Sequence, residues 1–296
     1  MGSLSIPIQT GYTELDSDET LAKLISLSIG YNRLPCIYNS FISTDVIKKA
    51  QASSQDHSLF TSISPDVQSA IIFSLFAKNY ILSHHPLSVN GASKYSNGTA
   101  QRFKKLKIKE AVSFDHENQS SKKVEILFKF PQGLVVAEIY KALLAVHKIY
   151  LELLPDSKIN KKVFLLGIAE EYALFEQNAP FLDDSLNELL AYANDPGLEK
   201  QIREQVSLSI GTRSKPEIHY TINRRQITFN SRYLGVKTIY GATILSYGIL
   251  KVIEFAKLAI YPLLRLSITK FLVRNLTAII KLLLKNLRKI KQHFRS

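Results

Sequence analysis

The chain has 296 residues, is 46% apolar, and sets 38 Lys and Arg against 25 Asp and Glu for a net charge of +13. That apolar share is enough to build a proper core and excludes a disordered chain, and the length admits one large domain or two small ones. The single Cys36 excludes an internal disulfide and any multi-cysteine metal site, which fits a reducing compartment, and its expected role is that of an inert core thiol.

The first twenty residues contain no Lys or Arg but do contain Glu14, Asp16, Asp18 and Glu19. Neither a secretory signal nor an Arg-rich transit peptide is therefore expected. Gly2 stands where a myristoylation signal would begin, yet Ile6 occupies the place that wants Ser or Thr. Apolar spacing predicts helices over Glu19 to Leu27 and Asp66 to Leu82, the second with Ser64 and Pro65 as start signals. His84, His85, Pro86, Asn90, Gly91, Asn97 and Gly98 then mark Ser83 to Gln101 as a polar loop and a first boundary. Adjacent histidines point different ways on most backbones, and no carboxylate or Cys lies close in sequence, so they are expected to be loop residues without a metal.

Beyond that boundary the apolar period becomes two. Leu106, Ile108, Val112 and Phe114 alternate with Lys105, Lys107, Lys109 and Ser113, and Val124, Ile126, Phe128 and Phe130 alternate with Glu125 and Lys129. This pattern predicts an antiparallel hairpin with one wet, lysine-bearing face. A helical block follows. Val135 to Leu154 gathers Glu138, Lys141, Lys148 and Glu152 on one stripe, is stopped by Pro155, and places His147 opposite that stripe as an expected hydrogen-bonded core residue. Lys162 to Gln177 and Ser185 to Ala193 are two further predicted helices. A second hairpin is expected from Ile218, Tyr220 and Ile222 to Ile227 and Phe229 around Asn223-Arg224-Arg225-Gln226. Helices bracketed by hairpins make the expected class α+β, with a mainly helical region over 1–100, a body over 101–236 and an apolar, strongly basic tail over 237–296.

Local catalytic signatures are missing from the sequence: there is no Gly-rich phosphate loop, H-E-x-x-H, G-x-S-x-G or dinucleotide fingerprint. Neighbouring acids such as Glu170-Glu171 and Asp183-Asp184 diverge by about 100° on a helix, so both pairs are expected to be solvated faces. A non-enzymatic chain without a cofactor is the resulting expectation.

The informative segment is the last one. Lys251 to Ser296 holds eleven Lys and Arg against the single acid Glu254, so it carries +10 of the +13 and leaves 27 basic and 24 acidic residues before it. On a helix at about 100° per residue, Lys270, Arg274, Lys281, Lys285 and Arg288 fall within an arc of about 60°. Leu272, Leu276, Ile279, Ile280, Leu283, Leu287 and Ile290 cover the far side. The apolar face is too wide for a coiled-coil seam and lacks a strict heptad. From Arg265 onward no acid is available within the segment to pair with any cation, whereas an ordinary solvated helix face mixes its signs. Such a helix suits an anionic membrane surface, its apolar side entering the acyl boundary while its basic stems reach headgroups.

Two readings compete with attachment to a membrane surface. Thr238 to Leu250 is a run of thirteen uncharged residues, short of the roughly twenty a span needs, so insertion would require a tilted span or a hairpin within 238–284. Nucleic-acid binding would use the tail together with Lys105, Lys107, Lys109, Arg224 and Arg225, but the leucine-rich side of the tail suits lipid or protein better than phosphate. The sequence therefore points to an intracellular protein on the cytosolic face of a membrane, with self-association or a protein partner as an extension.

Overall fold

The computed structural model describes residues 3–7, 11–54, 59–61, 64–85, 134–175, 182–211, 220–222, 226–230 and 246–251. In chain order these form β1 (Ser3–Pro7), β2 (Tyr12–Asp16), α1 (Ser17–Ile25), a 3-10 turn (Tyr31–Arg33), α2 (Thr44–Ser53), α3 (Pro65–Phe76) and β3 (Asn79–Ser83). There follow α4 (Val135–Ile149), a second 3-10 turn (Asp156–Lys158), α5 (Lys161–Phe175), α6 (Leu182–Ala193), α7 (Pro196–Gly211), β4 (Tyr220–Ile222) and β5 (Gln226–Asn230). Helix and strand are thus mixed, with helix dominant. The chain divides into two compact units, one of Thr13–Leu82 and Ala92–Lys215, the other of Met1–Tyr12, Ser83–Gly91 and Pro216–Ser296.

In the first unit α3 is the central element. Eight consecutive residues, Val67 to Ser74, are buried, so this helix is enclosed on every side and cannot show an amphipathic stripe. Its interior polar groups are satisfied: Ser74 Oγ donates to Ala70 O at 2.8 Å, and Gln68 accepts from Thr61 N–H at 2.9 Å and donates to Thr61 Oγ1 at 3.0 Å. Helix α4 packs on α3 with Ala137, Ile139, Tyr140, Ala142, Leu143 and Val146 buried, and α5 in turn packs on α4 and α7. Gly167 makes the approach of α4 to α5 close. A Cβ there would come within 2.6 Å of Leu27 Cδ1 and 3.2 Å of Val136 Cγ1. Leu27 reaches that position from the left-handed residue that ends α1, where Ser28 N–H closes back onto Lys23 O at 3.0 Å.

The N-cap of helix α4 is Leu134, which offers no capping side chain. Glu171 of α5 supplies the cap instead, one carboxylate oxygen accepting from Val135 N–H at 2.9 Å and the other from Val136 N–H at 2.7 Å. An anion at a helix N-terminus meets unpaired N–H groups and the positive end of the helix dipole. Glu171→Ala is expected to lower stability by about 0.5–2 kcal/mol, read from the urea midpoint, while Glu171→Gln retains part of that contribution. An unchanged midpoint in the alanine variant would mean that water replaces the carboxylate without cost.

The second unit contains a three-stranded antiparallel sheet in the order β1-β5-β4. The register pairs Leu4 with Phe229 and Phe229 with Tyr220, and pairs Ile6 with Ile227 and Ile227 with Ile222. Between those two apolar rows lies the row Ser5, Thr228 and Thr221. Apolar and uncharged polar residues thus occupy alternate register positions, the period-two pattern of a sheet, and Ile6 is buried. Strands β2 and β3 form a two-stranded ladder, with Ser17 N–H donating to Lys78 O at one end and His84 N–H to Gly11 O at the other.

Several sequence expectations match. The β4–β5 hairpin, α1, and the helices near 162–175 and 185–193 occur where the spacing puts them, α6 beginning three residues earlier at Leu182. Others are corrected. The helix expected to run to Leu82 stops at Phe76, and Asn79–Ser83 is strand, because the chain pairs with β2 as soon as Ala77 turns extended. The helix expected to reach Leu154 stops at Ile149, before Pro155, since Tyr150 leaves helical geometry and sends its hydroxyl to Ala50 O at 3.0 Å. Glu171 is a cap, not a solvated face. Strands β1, β2 and β3 and helices α2 and α7 were not anticipated. The first predicted hairpin and the boundaries near residues 100 and 236 lie outside the described residues.

Candidate functional site

Every residue expected to meet a membrane or nucleic acid lies outside the described residues: Lys270, Arg274, Lys281, Lys285, Arg288, Leu272, Leu276, Ile279, Leu283 and Leu287 of the tail, Lys105, Lys107 and Lys109 of the expected hairpin, and Arg224 and Arg225 of the turn. Among the described residues no helix is long and apolar enough to cross a membrane.

The polar groups that remain have structural tasks. His147 Nδ1 lies 2.8 Å from Leu154 O, tying the end of α4 to the turn that follows it. His85 Nε2 accepts from Gly11 N–H at 3.4 Å beside the β2–β3 ladder, and no described group of three or more His, Cys, Asp or Glu has the arrangement of a metal site. On α4, Glu138 and Lys141 form an ion pair at 3.1 Å with side chains only 13% and 12% exposed, and Ser64 donates to the second oxygen of Glu138 at 2.6 Å. What reads in the sequence as part of a charged stripe includes a largely enclosed link between α4 and the start of α3. Tyr140 stacks on Phe164 at 5.0 Å and faces the Tyr192 hydroxyl at 3.4 Å, and burial, first, then that hydroxyl push its phenol far above the ordinary range. The proton stays on. Lys161 Nζ sits 4.6 Å over the Tyr192 ring and donates to Tyr192 O and Ala193 O at the end of α6. A shallow depression of about 710 Å³ along α7 is lined by Pro196, Glu199, Lys200, Arg203, Glu204, Ser207 and Leu208. Its two acids and two bases balance, so it offers no one-signed field to an ion.

The segment between the first 3-10 turn and α2 differs from all of these. Leu34, Pro35 and Cys36 are buried and turn the chain back towards the surface. Ile37, Tyr38 and Phe41 then stand 37%, 71% and 99% exposed. The turn that presents them is closely bonded: Cys36 N–H donates to Ser40 Oγ at 3.1 Å, Asn39 N–H to Cys36 O at 3.3 Å, and both Cys36 Sγ and Ser40 Oγ approach Asn39 Oδ1 at 3.0 Å. Burial pushes the Cys36 thiol above its ordinary value, which keeps the Sγ proton available to Asn39. The loop is also fixed to its neighbours. Ile37 N–H donates to Ser69 Oγ at 3.2 Å, Tyr31 donates to Asp66 Oδ2 at 2.9 Å, and Tyr80 of β3 donates to Arg33 O at 2.7 Å. Three apolar side chains are therefore held in water on a turn pinned to α3 and β3. Cys36 behaves as the sequence implies, as a buried thiol, but its position beneath an aromatic tip was not legible from its being alone.

No protein-family model, curated protein or solved structure matches this chain.

Proposed function

We propose that the protein is a non-enzymatic, membrane-associated interaction protein whose segment Lys251 to Ser296 attaches it to an anionic membrane surface on the cytosolic side. The observation that carries this reading is the one-signed charge of that segment, eleven cations against Glu254, interleaved with leucine and isoleucine at helical spacing. A helix with Lys270, Arg274, Lys281, Lys285 and Arg288 on one stripe and Leu272, Leu276, Ile279, Leu283 and Leu287 opposite lies flat at the headgroup boundary. Upstream, the sequence of Leu250 to Tyr261 has the spacing of a shorter cationic helix, and Pro262 is expected to break or kink the join. Apolar faces that miss lipid meet one another, which makes the tail a route to self-association as well.

Co-sedimentation tests this directly. The full chain is expected to pellet with phosphatidylserine-containing vesicles and much less with neutral ones, and a chain ending at Leu250 is expected to remain in the supernatant. Release by high salt marks attachment at the surface, because the Debye length falls from about 8 Å at 0.15 M to about 3 Å at 1 M. Retention in the pellet through salt and carbonate would replace this reading with insertion through 238–284. Binding to RNA or DNA that requires Lys105, Lys107, Lys109, Arg224 and Arg225, with none to vesicles, would replace it with a nucleic-acid role.

A further inference from the structure

We infer that the Cys36–Phe41 loop is a second lipid contact, in which Tyr38 and Phe41 enter the headgroup boundary of an anionic membrane. This rests on the reading of the chain as a membrane-surface protein but uses a different part of it, in the helical unit. Three observations favour lipid as the occupant.

The first is shape. Phe41 at 99% exposure is a projecting tip, so the loop suits a soft surface that closes around it better than a rigid protein face, which would have to carry a matching pocket. The second is chemistry. Tyr is enriched at membrane interfaces, its ring in the acyl boundary and its hydroxyl at headgroup depth, and Phe is an apolar ring that enters that boundary beside it. The third is charge. Arg33 immediately before the loop and Lys48 and Lys49 after it on α2 have no carboxylate partner among the described residues, against Asp45 between them and Asp66, which accepts from Tyr31. An anionic leaflet complements that balance. The turn's hydrogen bonds to Ser69 and within Cys36 to Ser40 add a further advantage, since a loop already ordered gives up little conformational freedom when it docks.

The chain contains no tryptophan, so Phe41→Trp reports on this position alone. In the full-length variant, mixing with phosphatidylserine-containing vesicles is expected to blue-shift the emission of the introduced indole and to make it quenchable by lipids brominated on the acyl chain. The control is Leu208→Trp, placed on α7 where Leu208 is 69% exposed, and its emission is expected to stay that of water-exposed indole. Tyr38→Ser with Phe41→Ser in the full chain is expected to weaken vesicle binding at least about tenfold with circular dichroism unchanged, because both side chains already stand in water.

If the Phe41→Trp variant sediments with vesicles and its emission does not move, the loop is not a lipid contact and the tail stands as the sole anchor. Equal shifts in the Phe41→Trp and Leu208→Trp variants would indicate nonspecific adsorption and overturn the proposal. A blue shift that depends on protein concentration without lipid would assign the loop to a second copy of the chain, also overturning it. Failure of the full chain to sediment at all would overturn both readings together. A shift in the Phe41→Trp variant that persists when the tail cations are also neutralised would uphold the loop and remove the tail.

Discussion

Replacing Lys270, Arg274, Lys281, Lys285 and Arg288 together by Gln in the full chain is expected to lower its affinity for anionic vesicles by more than about a thousandfold. Each basic residue near an anionic leaflet contributes roughly 1 kcal/mol, so five contribute roughly 5 kcal/mol, and every 1.4 kcal/mol is about tenfold. The variant keeps the leucines and isoleucines of the opposite face and six other cations of the segment, so what remains is apolar partitioning with a much weaker preference for phosphatidylserine over phosphatidylcholine. Titration by vesicles of both compositions reads the change. The complementary variant, Leu272, Leu276, Ile279, Leu283 and Leu287 each replaced by Ser, is expected to retain the salt-sensitive preference for anionic lipid while losing most of its strength, since apolar burial supplies the rest. Vesicle binding that survives the loss of all five cations unchanged would place the anchor elsewhere in the chain.

Phe164→Ala is expected to be the most damaging single change in the helical unit, at about 3–5 kcal/mol. Phe164 is fully buried and its ring lies 5.0 Å from that of Tyr140 at 11° between planes, at the junction of α4 and α5. Tyr140 in turn meets Tyr192 edge-on at 6.4 Å, so one ring supports a chain of contacts reaching α6. Its removal leaves a void that rigid helices close only in part. Against a typical domain stability of about 5–15 kcal/mol, such a loss approaches the threshold of folding. Urea denaturation followed by circular dichroism measures it, and Phe164→Leu, which refills much of the volume, is expected to recover most of the difference. A loss below about 1 kcal/mol for the alanine variant would mean that α4 and α5 collapse onto the gap.

The helices with one apolar stripe were legible in the sequence. Helix α4 spaces its buried Ala137, Ile139, Tyr140, Ala142, Leu143 and Val146 so that neighbours on the face are three or four apart, and α5 does the same with Phe164, Leu165, Ile168 and Tyr172. Helix α7 carries a usable local signal as well: Asp195 before Pro196, with Asp195 Oδ1 accepting from Leu198 N–H at 2.7 Å, and Leu198, Ile202 and Val206 spaced by four. Helix α2 offered a shorter version, Ser43 accepting from Asp45 N–H ahead of Val46, Ile47 and Ala50.

What the amino-acid sequence determined by itself is what depends on near neighbours along the chain: the apolar spacing of α4 and α5, the β4–β5 hairpin, the burial expected of the lone Cys36, and the concentration of charge after residue 250. Tertiary structure decided what depends on residues far apart. Ser3–Pro7 is a strand because Gln226–Asn230 pairs with it from the other end of the chain. Tyr12–Asp16 is polar enough to read as loop and extends only because β3 lies alongside. Glu171 is a cap because the bare N-terminus of α4 lies against α5. Phe41 is a surface feature because the core closes beneath Cys36 and leaves the next residues outside. Local periodicity records how one segment divides apolar from polar. Which strand finds a partner, and which carboxylate meets an orphaned N–H group, is settled only when distant segments are brought together, because those interactions have no counterpart within the segment itself.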